Sequence, residues 1–183
     1  KKFFHLIPGS GVPSNYLKSI KHKTRAKNKL DFIYCARLER SKGIDLFISL
    51  SEYYPQSNFI VYGELNTNSK NCLNYDEIKF FQRKYKNLKF MDYIKDPLLS
   101  HHNDNTIFLV PSNYGEGLPR GILEAMSLEI PVVASKKACV GLFDNKTLFM
   151  VSDNRIESYI KAIEEIIYRK KEGKLDKFLN NSK

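Results

Sequence analysis

The chain has 183 residues, of which 42% are hydrophobic and 27% are charged, and its formal net charge is +10. A chain of this length buries about 70% of its unfolded surface, which is enough for one ordinary globular domain. No apolar run approaches the ~20 residues that a membrane-spanning helix needs, so a protein built from transmembrane helices is excluded.

Short apolar segments alternate with helical patterns along the chain. The segments predicted to form strands are residues 3–7, 30–38, 58–62, 88–91, 106–110, 131–135 and 147–151, and those predicted to form helices are residues 43–54, 75–85, 119–128 and 156–170. The strands lack clean two-residue alternation, so both faces of their sheet should be covered. Strands alternating with helices predict βαβ units, hence an α/β fold with a Rossmann-like open parallel sheet and helices on both faces.

Two predicted helix starts carry a capping-box pattern. Asn74 precedes Glu77 by three residues, and Asn154 precedes Glu157 by three. In such a box the first side chain accepts a bond from a backbone N–H of the first turn, and the second side chain returns one. We therefore expect helices to begin directly after Asn74 and Asn154.

The cysteines give no sign of a disulfide or a metal site. Cys35, Cys72 and Cys139 are odd in number, far apart and free of any Cys-x-x-Cys pattern, as is typical of reduced thiols in a cytosolic protein. The adjacent pair His101 and His102 does not form a metal-binding face unaided. We expect a cytoplasmic protein without a metal.

Residues 18–29 hold six basic side chains and no acid. They are Lys18, Lys21, Lys23, Arg25, Lys27 and Lys29. The run can be a solvated loop, a patch for an anionic membrane surface or a patch for nucleic acid. Aromatic residues are not interleaved with the basic ones, as a stacking platform for single strands requires, so nucleic acid is not expected as a partner.

Basic residues also follow the predicted strand at residues 30–38. Arg37 stands at its carboxyl end, Ser41 is a candidate N-cap, and Lys42 falls in the first turn of the next predicted helix. A cation there opposes the helix dipole at a cost of roughly a few tenths of a kcal/mol. Either an anionic ligand compensates that cost, or Lys42 is a solvated side chain.

The segment at residues 111–126 reads PSNYGEGLPRGILEAM and contains two acids eight residues apart. Glu116 lies in a glycine-rich turn after an apolar strand, and Glu124 lies inside the helix that Pro119 opens. Free backbone N–H groups at a helix start favour phosphate, and carboxylates accept bonds from hydroxyls, so this place suits a polyhydroxylated, phosphate-bearing ligand. Glu124 belongs to the narrow polar stripe of an otherwise apolar helix, and that stripe faces either water or a ligand groove.

A third strand end, at residues 91–96, reads MDYIKD. An aromatic residue followed by an apolar one can wall the base of a nucleotide. The same pair, Tyr93 and Ile94, can equally pack into the core.

In this order and spacing, these motifs resemble the C-terminal, nucleotide-sugar-binding domain of retaining glycosyltransferases with the GT-B fold (family four, or group 1). The matching residues are Arg37 with Lys42-Gly43, Asp92-Tyr93-Ile94, Pro111-Ser112, Glu116-Gly117 and Glu124-Ala125-Met126. Residues 7–12 also look like the turn that opens this domain, and residues 131–135 look like its next strand. The likeness covers residues 3–170.

The resemblance implies three catalytic residues. Arg37 and Lys42 would contact the diphosphate and stabilise the charge of the leaving nucleotide. Glu116 would act beside them, at the donor sugar. The class needs no metal and no other cofactor, because the nucleoside diphosphate sugar is its substrate.

The resemblance also implies the donor contacts. Glu116 would hold the donor sugar and the β-phosphate together with the backbone of Gly117, Leu118 and Pro119. Glu124 would accept bonds from the ribose hydroxyls. Tyr93 and Ile94 would line the base.

Two places depart from the family pattern. Glu129 stands where a glycine usually ends the helix, so it either adopts the left-handed conformation or ends the helix differently. Ala138 and Cys139 stand where a glycine pair often follows the next strand, which leaves the local donor contacts open.

We expect residues 1–171 to form the donor domain and residues 172–183 a polar tail. The N-terminal acceptor domain of the class has no counterpart here, so we expect a fragment of a longer protein. Such a fragment would bind donor and hardly catalyse alone.

The function that the resemblance implies is transfer of a hexosyl group from a nucleoside diphosphate sugar, UDP-sugar by family frequency, to a glycan or lipid-linked acceptor. The setting would be surface polysaccharide biosynthesis (capsule or lipopolysaccharide) in the cytoplasm, at the inner face of the cytoplasmic membrane, with residues 18–29 near anionic lipid. The alternative is a GT-B-fold module, epimerase or phosphorylase that binds nucleotide without glycosyl transfer.

Overall fold

The computed structural model describes residues 29–65, 69–116, 119–139 and 148–173. The predicted strand at residues 3–7 and the basic run other than Lys29 lie outside these residues, as does the predicted tail beyond Gly173. Lys29 itself is exposed.

Within the described residues, six strands form one sheet. They are β1 (Asp31–Cys35), β2 (Asn58–Tyr62), β3 (Leu88–Met91), β4 (Thr106–Val110), β5 (Val132–Ser135) and β6 (Phe149–Val151). Their order is β3-β2-β1-β4-β5-β6, and every neighbouring pair is parallel. The predicted parallel α/β fold is confirmed.

The described part of the chain also forms five α-helices and two 3-10 turns. The helices are α1 (Ile44–Tyr53), α2 (Tyr75–Lys84), α3 (Pro97–Ser100), α4 (Arg120–Ser127) and α5 (Ile156–Lys171), and the 3-10 turns are Arg40–Lys42 and Lys136–Cys139. The four predicted helices are present, with ends shifted by at most one residue, whereas α3 and both 3-10 turns were not predicted from the sequence. No helix among the described residues is long and apolar enough to cross a bilayer.

The core has one layer on each face of the sheet. Phe32 and Tyr34 of β1 point into a cluster with side chains of α1, α2 and α5. Ile33, between them in the chain, points into a second cluster with side chains of α3 and α4. Successive strand residues point to opposite faces of the sheet. A strand in which every residue is apolar therefore fills both layers of the core, as the sequence predicts.

One of the two predicted capping boxes is present. Before α2, the Asn74 side chain accepts from the backbone N–H of Glu77 at 2.9 Å, and the Glu77 carboxylate accepts from the Asn74 N–H at 2.9 Å. The box predicted at Asn154 is wrong. The N-cap of α5 is Arg155, without a side-chain cap bond, because the Asn154 amide is turned towards the loop after β4.

The predicted N-cap role of Ser41 is also wrong. Ser41 and Lys42 belong to a 3-10 turn, and Gly43, at φ 78°, separates this turn from α1. Lys42 therefore precedes the N-cap of α1, and the prediction that it lies in the first turn of this helix is wrong.

Glu129 adopts the left-handed conformation at the end of α4. Its φ is 58°, and it is the one described residue other than glycine with a positive φ. The N–H of Ile130 donates to the carbonyl of Ala125 at 2.9 Å, and the N–H of Glu129 donates to Met126 at 3.0 Å. This is a Schellman motif with glutamate at the position that glycine favours.

The strand order reverses between β1 and β4. In open α/β sheets, ligands bind in the crevice outside the carboxyl ends of the strands at such a point. The segments that follow these two strands, residues 36–43 and 111–116, are the ones that the sequence singles out.

Candidate functional site

The loops after β1 and β4 are in direct backbone contact. A Cβ added at Gly43 would lie 1.9 Å from the carbonyl oxygen of Pro111. Beside it, the N–H of Asn113 donates to the carbonyl of Ser41 at 2.8 Å. Glycine at position 43 therefore serves both the positive φ and the close approach of the two loops.

Lys42 and Glu116 meet across this contact. The Lys42 ammonium is 3.1 Å from a carboxylate oxygen of Glu116, and the two side chains are 13% and 25% exposed. The same ammonium lies 5.1 Å from the centre of the Tyr114 ring, which is itself largely exposed. A partly buried cation is thus held at the switch point by a carboxylate and an aromatic face.

Arg37 follows the same strand but has a different partner. Its side chain is 58% exposed, and its guanidinium lies 2.6 Å from the carboxylate of Glu39, which also accepts a bond from the Ser41 hydroxyl at 3.2 Å. Glu39, which the sequence did not single out, therefore orders this loop. The Tyr34 hydroxyl adds a bond to the carbonyl of Arg37 at 3.0 Å.

The loop after β4 is fixed by the loop after β5. The buried Ser135 hydroxyl donates to the carbonyl of Ser112 at 2.5 Å and accepts from the N–H of Ala138 at 3.1 Å. Farther along, the N–H of Glu116 donates to the carbonyl of Lys137 at 3.4 Å. Ala138 and Cys139 are buried in this turn.

Asn154 completes the frame from the side of α5. Its amide donates to the carbonyl of Pro111 at 3.0 Å and to the side-chain oxygen of Asn113 at 2.7 Å, and its own oxygen accepts from Tyr159. Three parts of the chain thus support the loop that carries Glu116. A site built on a fixed frame loses less freedom when it binds a ligand.

Glu124 lies beside the carboxyl end of β1. Its side chain is 16% exposed, and its oxygen lies 2.7 Å from Nε of Arg120, one turn earlier on α4. Burial raises the pKa of the Cys35 thiol to about 12, and the negative charge of Glu124 adds to the shift. The partner that a mostly buried glutamate requires is therefore Arg120, whose side chain is 61% exposed.

The remaining predicted donor contacts are only partly described. Gly117 and Leu118 lie outside the described residues, and Pro119 is the residue before α4 rather than its first. Tyr93 is 81% exposed, so the alternative that it packs in the core is wrong, whereas Ile94 does pack against the α3–α4 layer. An exposed Tyr93 is free to contact a base, and that role stays a prediction.

The arrangement brings together most of the residues that the sequence selects. Cations from the loop after β1 and carboxylates from the loop and helix after β4 surround the switch point, which suits a ligand with both phosphate and hydroxyl groups. Among the described residues, no three His, Cys, Asp or Glu side chains are grouped as a metal site needs. A cavity of about 550 Å³ lies at the opposite edge of the sheet, beside Leu30, Thr106 and Pro131, and so is separate from this site.

The sequence of the chain matches one family. The model of the family described as glycosyl transferases group 1 matches residues 17–183. Among curated protein sequences, none matches the chain.

Several solved structures share the fold. Sucrose-phosphate synthase from Thermosynechococcus elongatus superposes with a TM-score of 0.71 and 20% identity, over 90% of this chain and 45% of that one. HepE of Anabaena in complex with UDP-glucose superposes with a TM-score of 0.69 and 22% identity, over 84% of this chain and 43% of that one. The C-terminal domain of the group 1 glycosyl transferase LpcC from Francisella tularensis superposes with a TM-score of 0.62 and 20% identity, over 88% of this chain and 86% of that one.

The chain spans about half the length of the first two of these proteins and most of the isolated C-terminal domain. At these identities the likeness establishes the fold.

Proposed function

Because the chain belongs to the glycosyl transferases of group 1, we propose that it is the donor-binding part of a retaining glycosyltransferase. The donor is a nucleoside diphosphate sugar, with UDP as the nucleotide. The acceptor is a glycan or a lipid-linked sugar, held by a part of the enzyme outside this chain.

One observation carries this proposal. Lys42 and Glu116 form an ion pair at the point where the strand order reverses, on two loops in backbone contact. A cation beside a carboxylate suits the junction of a diphosphate and a sugar, since one group favours phosphate oxygens and the other accepts hydroxyls. HepE of Anabaena, which shares the fold, has been crystallised with UDP and with UDP-glucose.

The proposed roles of the individual residues are those that the family resemblance implies. Lys42 and Arg37 bind the diphosphate and stabilise the negative charge that develops on the leaving nucleotide. Glu116 accepts hydroxyls of the donor sugar, with the backbone of residues 117–119 at the β-phosphate. Glu124 of α4 accepts the ribose hydroxyls, and the Tyr93–Ile94 loop lines the base.

The residue roles proposed here are compatible with a reaction that retains the configuration of the anomeric carbon. In front-face transfer the bond from the anomeric carbon to the phosphate oxygen breaks, and the acceptor oxygen attacks from the same side. The departing phosphate oxygen then takes the acceptor proton, so no further base is needed. Lys42 and Arg37 lower the barrier by holding the charge that accumulates on that phosphate.

The biological setting belongs to the same proposal. Surface polysaccharide assembly, as for capsule or lipopolysaccharide, takes place at the inner face of the cytoplasmic membrane. The basic run at residues 18–29 would suit contact with anionic lipid there.

Calorimetric titration of the chain with UDP, GDP, ADP and UDP-glucose tests the proposal. UDP and UDP-glucose should bind, and UDP more tightly than GDP or ADP. If no nucleoside diphosphate binds, the donor-site proposal is wrong; if GDP or ADP binds more tightly than UDP, only the choice of base is wrong.

A further inference from the structure

Helix α2 presents aromatic and basic side chains to solvent. None of its ten residues is fully buried, and it packs on the sheet through the half-buried Ile78 and Phe81. Tyr75 and Phe80 are 62% and 58% exposed. At 100° per residue, the side of α2 opposite its packed side is centred between Asp76 and Arg83.

Positive charge dominates this outer side. The exposed residues Lys79, Phe80, Arg83, Lys84 and Lys86, the last in the turn after the helix, form what we call the α2 basic face. Asp76 is the one acid on the same side of α2. Glu77 is turned away from it and pairs with Arg40 at 2.6 Å.

We propose that the α2 basic face docks on an anionic membrane surface, with Phe80 entering the layer between head groups and acyl chains. A single exposed phenylalanine is ordinary on a protein surface. A phenylalanine with three basic side chains on its own helix and a fourth in the turn that follows matches a lipid interface, where the ring meets acyl chains and the cations meet phosphates.

The position of the face favours a membrane over nucleic acid. Helix α2 packs on β3, which is the edge strand of the described sheet, and the residues of its outer side are exposed to solvent. Single-stranded nucleic acid is bound in grooves lined by several aromatic rings, and the α2 basic face has one ring flanked by charges. None of its residues belongs to the candidate donor site, so this inference does not rest on the proposed function.

Vesicle co-sedimentation tests the charged part of the proposal. The chain should sediment with vesicles of phosphatidylcholine mixed with phosphatidylglycerol, and not with phosphatidylcholine alone. Each basic residue near such a surface contributes about fivefold to binding, so the double variant Lys79→Gln with Arg83→Gln should bind roughly 25-fold more weakly. The matched double variant Lys161→Gln with Lys171→Gln, on exposed positions of α5, should bind within about twofold of the unchanged chain.

Tryptophan fluorescence tests the apolar part. The chain has no tryptophan, so the Phe80→Trp variant carries a single reporter, and Tyr168→Trp on α5 is its control. With anionic vesicles, the emission of the Phe80→Trp variant should shift to the blue and be quenched by brominated acyl chains, whereas the control should not change.

Three results would overturn the proposal. They are no binding to anionic vesicles, equal loss of binding in both double variants, and unchanged emission of the Phe80→Trp variant when it sediments with vesicles. The chain could instead bind a duplex oligonucleotide in a salt-dependent way and not bind vesicles. If the Lys79→Gln, Arg83→Gln double variant loses that oligonucleotide binding, the face belongs to nucleic acid.

Discussion

The Lys42 ammonium lies 3.1 Å from the Glu116 carboxylate, so one ion pair joins the loop after β1 to the loop after β4. A diphosphate entering this place competes with Glu116 for the same cation. In a donor site, Lys42 therefore favours the binding of a diphosphate without a sugar, and Glu116 opposes it. A purely structural ion pair would not have these opposite effects on affinity.

Glu116→Gln should tighten the binding of UDP. The substitution removes a carboxylate that both occupies Lys42 and repels phosphate, and a partly exposed pair of this kind is worth about 1 kcal/mol, or about fivefold in affinity. UDP-glucose should gain less, because the sugar loses its charged acceptor. Titration of both ligands against both proteins measures the difference, and a loss of UDP affinity in the variant would mean that Glu116 itself supports the diphosphate.

Glu124→Gln should make Cys35 more reactive. Burial and the charge of Glu124 raise the pKa of the Cys35 thiol to about 12, so removing the charge lowers this pKa and increases the thiolate fraction at any pH below it. Alkylation by iodoacetamide at about pH 9, followed residue by residue by mass spectrometry, measures the effect. Cys139 is the internal control, since burial alone raises its pKa to about 11; an equal change at both cysteines would indicate general loosening.

Gly43→Ala should destabilise the fold strongly. The added Cβ would meet the carbonyl oxygen of Pro111 at 1.9 Å, and φ is 78°. Gly173→Ala is the matched control, because φ there is 61° and nothing lies within 4 Å of the added atom, so only the backbone strain of roughly 1–2 kcal/mol remains. Urea unfolding of the two variants separates the steric clash from the strain, and equal losses would show that the loops do not touch as described.

Glu129→Gly should stabilise the chain relative to Glu129→Ala. Both variants lack the Glu129 side chain, but only glycine adopts a φ of 58° without strain, so the difference in unfolding free energy should be about 1 kcal/mol in favour of glycine. Thermal melts of the two variants measure it. Identical melting temperatures would mean that α4 ends in another conformation.

The sequence predicts the fold where local signals and burial agree. The strands β2, β3 and β4 begin and end at the predicted residues, because each is a short apolar run between turn-forming segments. The capping box at Asn74 depends on a local spacing, and the structure confirms it. Asn154 has the same spacing, but its amide bonds to Pro111 and Asn113, and a tertiary contact over more than forty positions leaves no local pattern.

The candidate site likewise contains residues that the sequence predicts and residues that only the structure identifies. The sequence selects Lys42 and Glu116 by their motifs, and the structure brings them together. It did not select Glu39, whose role arises only where the loop folds back so that one carboxylate meets both Arg37 and Ser41. The close approach that requires Gly43 is likewise a property of two loops distant in sequence.

Titration of UDP against the unchanged chain, Lys42→Ala and the exposed control Lys161→Ala tests the central claim most directly. Loss of a charged hydrogen-bond donor to the diphosphate should cost about 1.5–3 kcal/mol, so Lys42→Ala should bind UDP roughly 10- to 150-fold more weakly, and the control should bind as before. Equal UDP affinity in all three proteins would contradict the assignment of this site to the nucleotide-sugar donor.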